Sequence, residues 1–172
     1  LGIIPAAIMG VMFPAFATIL AQDPARAGNL FHRTLKFIFL IIFPLVFLIV
    51  LFAHEGLTLW LGSEFADNST IVLQLLAIGV FINSYAQVPY GLLQAAGRAD
   101  ITAKLHLIEL PFYLLILWWL VNSYGIVGVA TAWVMRVAFD SLFLFLMVRR
   151  FLPENPLSIS QLVLKACGAL LV

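Results

Sequence analysis

Arg136 and Asp140 stand four residues apart inside the apolar run Ile126–Val148, and Glu109 stands inside another, Ile101–Val121. An ionised group at the centre of a bilayer costs at least ~2.5–3.5 kcal/mol, so it pairs or faces water. A guanidinium with two carboxylates in such a setting supports two kinds of chemistry. Facing an aqueous cavity, Arg136 attracts an anionic substrate group, while Asp140 or Glu109 sets the charge balance or binds a coupling proton or cation. Packed together, the same groups form an ion-pair network holding two helices. Arg136 with Asp140 is an i, i+4 pair, although the acid-first order is the more favourable one.

A second constellation is neutral. Asn83, Gln87, Tyr90 and Gln94 fall at i, i+4, i+7 and i+11, a single helical stripe. Amide and phenol groups so placed either line a cavity and meet a hydroxyl-rich ligand, or bond neighbouring helices at about 0.6 kcal/mol per contact. Lys104 and His106 lie near one end of their run; snorkelling accounts for Lys104, and a lone His106 reads as structural. There is no G-x-S-x-G, no Walker A loop, no H-E-x-x-H and no cysteine pair. Two acids and an arginine without a positioned nucleophile are not a hydrolytic site, so the chain reads as no enzyme. Cys167 is the single cysteine, which excludes an internal disulfide and leaves no zinc signal. Neither metal nor cofactor is expected.

The elements that position these residues follow from composition. The chain is 64% hydrophobic and 10% charged, with a mean hydropathy of +1.12, whereas soluble domains are about a quarter charged. A net charge of +1 argues against a nucleic-acid surface. Apolar runs at Leu1–Gln22, Leu35–Ala53, Ser69–Ala96, Ile101–Val121 and Ile126–Val148 are continuous, not alternating, which predicts helices instead of a barrel. At ~1.5 Å per residue each crosses a ~30 Å hydrocarbon core. A sixth run begins near Ile159 and is cut off at Val172, so residues 1–172 read as one transmembrane region, an internal piece of a larger all-α polytopic protein. Asp23-Pro24 supplies an N-cap and a first-turn proline, predicting a short interfacial helix to Lys36 that carries Arg26, Phe31, His32 and Arg33.

Sidedness is written in the breaks between runs. Arg26, Arg33 and Lys36 occupy the first, Arg98 and Lys104 the third, Arg149 and Arg150 the fifth. The second (His54 to Asn68) has Glu55, Glu64 and Asp67, and the fourth (Asn122 to Gly125) has no charge. Lysine and arginine mark cytoplasmic loops, which places 23–36, 97–104 and 149–156 inside. Trp60, Trp118, Trp119 and Tyr124 then fall at the outer boundary. Asp140 and Glu109 come to similar depth on antiparallel neighbours, with Arg136 about a turn further out. Pro14, Pro44, Pro89 and Pro111 fall within runs, either shaping packing or, for Pro89 near Gly91, making a hinge. Gly125, Gly128, Ala130 and Ala132 form a small-residue face that predicts close helix contact.

Residues Leu92–Pro111 (LLQAAGRADITAKLHLIELP) and Tyr124–Arg136 (YGIVGVATAWVMR), with MFPAF at Met12–Phe16 and LWLGSEF at Leu59–Phe65, resemble a known family. They are similar to the C-terminal half of bacterial lipid-linked oligosaccharide flippases, the O-antigen and polysaccharide-biosynthesis members of the multidrug/oligosaccharidyl-lipid/polysaccharide exporter superfamily. The similarity covers nearly all of Leu1 to Pro156. It implies a two-lobe helical exporter working by alternating access, of which this chain is part of the second lobe. It further implies translocation of an undecaprenyl-pyrophosphate-linked oligosaccharide across the cytoplasmic membrane for surface polysaccharide synthesis. The pathway's polymerase and glycosyltransferases would be its protein partners. Cationic cavity residues attract the pyrophosphate in that family, and Arg136 is the in-span residue available for the part. The competing reading is a cation-coupled drug antiporter of the same superfamily, whose pocket would be dominated by Asp140 and Glu109.

Overall fold

The computed structural model describes residues 2–150 as five helices: α1 (Ile3–Gln22), α2 (Pro24–Leu51), α3 (Ala53–Leu61), α4 (Ser63–Ala95) and α5 (Ala99–Val148). The sixth run, Cys167 and the basic loop beyond Arg150 lie outside the described residues. The fold is all-α, and α1, α2, α4 and α5 are long and apolar enough to cross a membrane.

A single break organises α5. At Gly125 the backbone takes φ 57° and ψ −132°, a conformation that glycine adopts without a Cβ penalty. The helix therefore breaks there. Residues 126–148 return along 99–124 as an antiparallel hairpin, each half rising ~35–39 Å. The small-residue face acts at this turn. Gly128 abuts the backbone carbonyl of Leu120, while Ala130 and Ala132 are buried. Trp118, Trp119 and Tyr124 surround the turn with their rings exposed.

The expected interfacial helix over 23–36 is not a separate element. Asp23 caps as expected, its Oδ1 accepting from the backbone N–H of Ala25 (3.0 Å) and Arg26 (3.1 Å). From Pro24 the helix then runs unbroken into the apolar span. The reason is a stripe that ignores the interface: Ala27, Phe31, Leu35, Ile38, Ile42 and Val46 recur at helical spacing and are all buried. Gly28, worth about 1 kcal/mol of helix propensity, is too weak a breaker to interrupt it. Asp23→Ala is expected to cost about 0.5–2 kcal/mol, the usual value of an N-cap, measurable as a lowered thermal midpoint in detergent.

The acidic break also contains more structure than its polarity suggests. Residues Ala53–Leu61 form the short helix α3, anchored by buried Ala53 and Leu57 while Leu59 and Trp60 stay exposed. Gly62, at φ 90°, reverses the chain, and α4 begins at Ser63, six residues before the expected Ser69. His54 Nε2 lies 3.1 Å from Asp67 Oδ1, tying α3 to α4. The Gln74 amide donates to the Val50 carbonyl at 3.0 Å, satisfying an end group of α2.

Helix α4 is central, packing against each of the other four. Its Val88, Leu92 and Leu93 join Phe16, Ile38, Ile42 and Leu144 in the fully buried core. Phe39 and Phe43 of α2 meet Phe81 and Tyr85 of α4 edge-on. All four in-run prolines lie within helices. Gly91 faces α1, where a Cβ would strike the end of the Met9 side chain.

Candidate functional site

Three helical stripes converge on one cavity. On α4, Asn83, Gln87 and Tyr90 share a face. On the first half of α5, His106, Glu109 and Tyr113 stand at i, i+3 and i+7. On the second half, Trp133, Arg136 and Asp140 repeat the same spacing. A cavity of about 310 Å³ opens between them, lined by Asn83, Gln87, Tyr90, His106, Trp133, Arg136 and Asp140. That volume is at the lower end of ligand pockets, ~300–1,000 Å³.

The hairpin register sets the electrostatics. Arg136 Nε lies 3.5 Å from Glu109 Oε1, and His106 Nε2 lies 3.3 Å from Asp140 Oδ1. Both are cross-helix pairs, so the expected Arg136–Asp140 pair along one helix is replaced. The physical reason is orientation: base-first i, i+4 is the weaker geometry, and the antiparallel partner offers Arg136 a carboxylate at its own level. Glu109 thus sits level with Arg136, and His106 with Asp140, one turn along. Arg136 also lies over the ring of Tyr113, 5.1 Å from its centroid, a cation–π contact. Both Glu109 oxygens and Asp140 Oδ1 are buried without a hydrogen-bond partner among the described residues. The ion pairs are therefore close electrostatic contacts that leave acceptor capacity unused.

Of the sequence-predicted residues, Arg136, Asn83, Gln87, Tyr90 and Asp140 line the cavity. Glu109 stands behind Arg136, and Gln94, a turn beyond Tyr90, is not part of the lining. Lys104 lies near the start of α5, 3.8 Å from Asp100 and away from the cavity. Three residues were missed. His106 reaches the site, stacked against Tyr90 at 6.4 Å; Trp133 forms part of the wall; Tyr113 carries the guanidinium. Their signal was the paired 3–4 spacing with Glu109 and Arg136, which marks each as facing the same way. His106, Glu109 and Asp140 also bring side-chain nitrogen and oxygen atoms within 4.8 Å of one another, with Arg136 beside Glu109.

Trp133 is held by a gap in α4. A Cβ at Gly79 would run into its six-membered ring. Gly79→Val is therefore expected to displace the ring and cost about 1–3 kcal/mol, as overpacking does. Near-ultraviolet circular dichroism and thermal unfolding would register it; unchanged spectra and midpoint would contradict the contact.

Residues 1–70 match a family described as polysaccharide biosynthesis protein. A Shigella flexneri protein provisionally named O-antigen transporter is 38% identical over 144 residues, which is 84% of this chain. The chain is thus similar to polysaccharide biosynthesis proteins over its first 70 residues. It spans about a third (34%) of the length of that relative, and no solved structure matches it. The four long apolar helices describe a multi-pass membrane protein, as the runs in the sequence implied. The cavity residues, 83–140, lie beyond the 1–70 stretch that matches the family, so their roles rest on geometry.

Proposed function

We propose that this chain is part of a flippase that carries an undecaprenyl-pyrophosphate-linked oligosaccharide from the cytoplasmic to the periplasmic leaflet by alternating access. The observation that carries this reading is a cavity with two unlike walls. Arg136 stands in one to attract the pyrophosphate, and Asn83, Gln87 and Tyr90 stand in the other to meet sugar hydroxyls. The prenyl tail stays in lipid. The relative's name and the family description support a surface polysaccharide as cargo. The basic breaks support a cytoplasmic position for 23–36, 97–104 and 149–156, next to the glycosyltransferases that would supply the substrate; the polymerase would act on it after translocation.

The test keeps the charge balance. Arg136→Gln combined with Glu109→Gln in the full-length protein is expected to accumulate normally and to abolish flipping, read as loss of surface polysaccharide in cells. Normal flipping by that protein would remove the headgroup role from Arg136. One observation favours a second reading, a cation-coupled drug antiporter: two carboxylates face a single guanidinium. Under it, Asp140→Asn would abolish export of cationic drugs and leave surface polysaccharide intact.

A further inference from the structure

The cation assigned to the headgroup is already neutralised. Arg136 has Glu109 at 3.5 Å, and Asp140 and His106 complete the set one turn away. One guanidinium faces two carboxylates, so the cluster is one charge negative while His106 is neutral. A diphosphate diester brings two more negative charges into the same cavity. In surroundings of low dielectric that sum is prohibitive unless positive charge enters with it.

Resting on the pyrophosphate reading above, we infer that the anion and a proton enter the cavity together, the anion displacing Glu109 from Arg136 and the released carboxylate taking the proton. The guanidinium turns from Glu109 to the phosphate oxygens and keeps its contact with Tyr113. Glu109, left beside Asp140 and the anion, takes up a proton that the bulk buffer supplies, relayed through cavity water; no covalent bond forms or breaks in the substrate. Two features suit Glu109 to this exchange. Both its oxygens are buried without a hydrogen bond, so nothing else among the described residues holds them. The contact with Arg136 is also longer than a formed charge-assisted hydrogen bond, ~2.7–2.9 Å, and is easily exchanged.

The groups facing the exchange are few. From α4, among the described residues, come Asn83, Gln87 and Tyr90, two amides and a phenol. From the two halves of α5 come His106, Glu109, Tyr113, Arg136 and Asp140. His106 is the second place a proton can settle, since its ring already faces Asp140.

The experiment uses the purified full-length protein in nanodiscs and a short-chain prenyl diphosphate sugar. The phosphates of that diester stay ionised between about pH 5 and pH 8, the window in which imidazole titrates. Isothermal titration calorimetry in buffers of differing ionisation enthalpy counts protons. The expected result is uptake of about one proton per anion bound, with affinity falling up to tenfold per pH unit on the alkaline side. In Glu109→Gln the uptake should vanish and alkaline affinity should rise, because Arg136 is no longer held. Binding without proton uptake, and with the same pH dependence in Glu109→Gln, overturns the exchange while leaving the pyrophosphate reading intact. Affinity that follows sodium concentration at constant pH, with no proton taken up, also overturns it. Absence of binding in both proteins defeats the pyrophosphate reading itself. His106→Gln separates the two acceptors: retained uptake assigns the proton to Glu109, and lost uptake moves it to His106 and contradicts the stated exchange.

Discussion

Gly128→Val is expected to remove most of the protein from the membrane fraction. The first side-chain atom at this position would overlap the Leu120 carbonyl and crowd the next backbone nitrogen. A flexible side chain could swing aside, but here the obstacle is the main chain of the facing helix half. Overpacking a core against movable side chains costs about 1–3 kcal/mol. Against a fixed backbone the two halves of α5 must separate, which would also lengthen the Arg136–Glu109 and His106–Asp140 contacts. The control is Gly56→Val, where a new Cβ meets nothing within 4 Å. That variant should accumulate and melt close to the parent. Gly125→Ala should fall between them, since its cost is the strain of a positive φ, about 1–3 kcal/mol. Comparable accumulation and melting of Gly128→Val and Gly56→Val would show that the hairpin is not packed as described.

Arg136→Ala should lose both accumulation and transport, for different reasons. The variant leaves Glu109 at mid-depth with no counter-charge. Insertion scales put such a group at about 2.5–3.5 kcal/mol, and breaking a buried pair typically costs about 3–5 kcal/mol. Arg136 is 35% exposed to the cavity and Glu109 only 12%, so the penalty falls mainly on the acid and towards the lower figure. Adding Glu109→Gln should therefore restore accumulation without restoring transport. A double-mutant cycle on the thermal midpoint isolates the pair. Additive effects would mean that the two residues do not interact. Restored transport in the double variant would mean that the guanidinium served only to balance Glu109.

Much of this fold could be read from residue types because lipid permits few backbone solutions. Continuous apolar runs named the spans, and Asp23-Pro24 named the start of α2. What remained hidden came from competition between signals. Arg26, Arg33 and Lys36 made 23–36 look like a separate surface element. The stripe from Ala27 to Val46 shows that burial against α4 outweighs polarity there. The acids of the second break likewise concealed α3, a helix held by only two buried residues. At the site, the stripe on α4 and the mid-span charges were legible from spacing, and the partners were not. Pairing depends on the register across the Gly125 turn, which places 106 opposite 140 and 109 opposite 136. Reading His106 in isolation missed it, although its spacing from Glu109 and Tyr113 matches that of Trp133, Arg136 and Asp140.

His106, Glu109, Arg136 and Asp140 all ride on α5, joined by a turn whose halves are locked by Gly128. The opposite wall, on α4, is made of neutral amides and a phenol. Sliding or tilting of α4 past that hairpin therefore shears ring and apolar contacts, Tyr90 on His106 and Trp133 at Gly79 among them, and leaves the Arg136–Glu109 and His106–Asp140 pairs intact. A carrier built this way can reshape its interior while its charges keep their mutual distances, so the electrostatic barrier to the motion stays small.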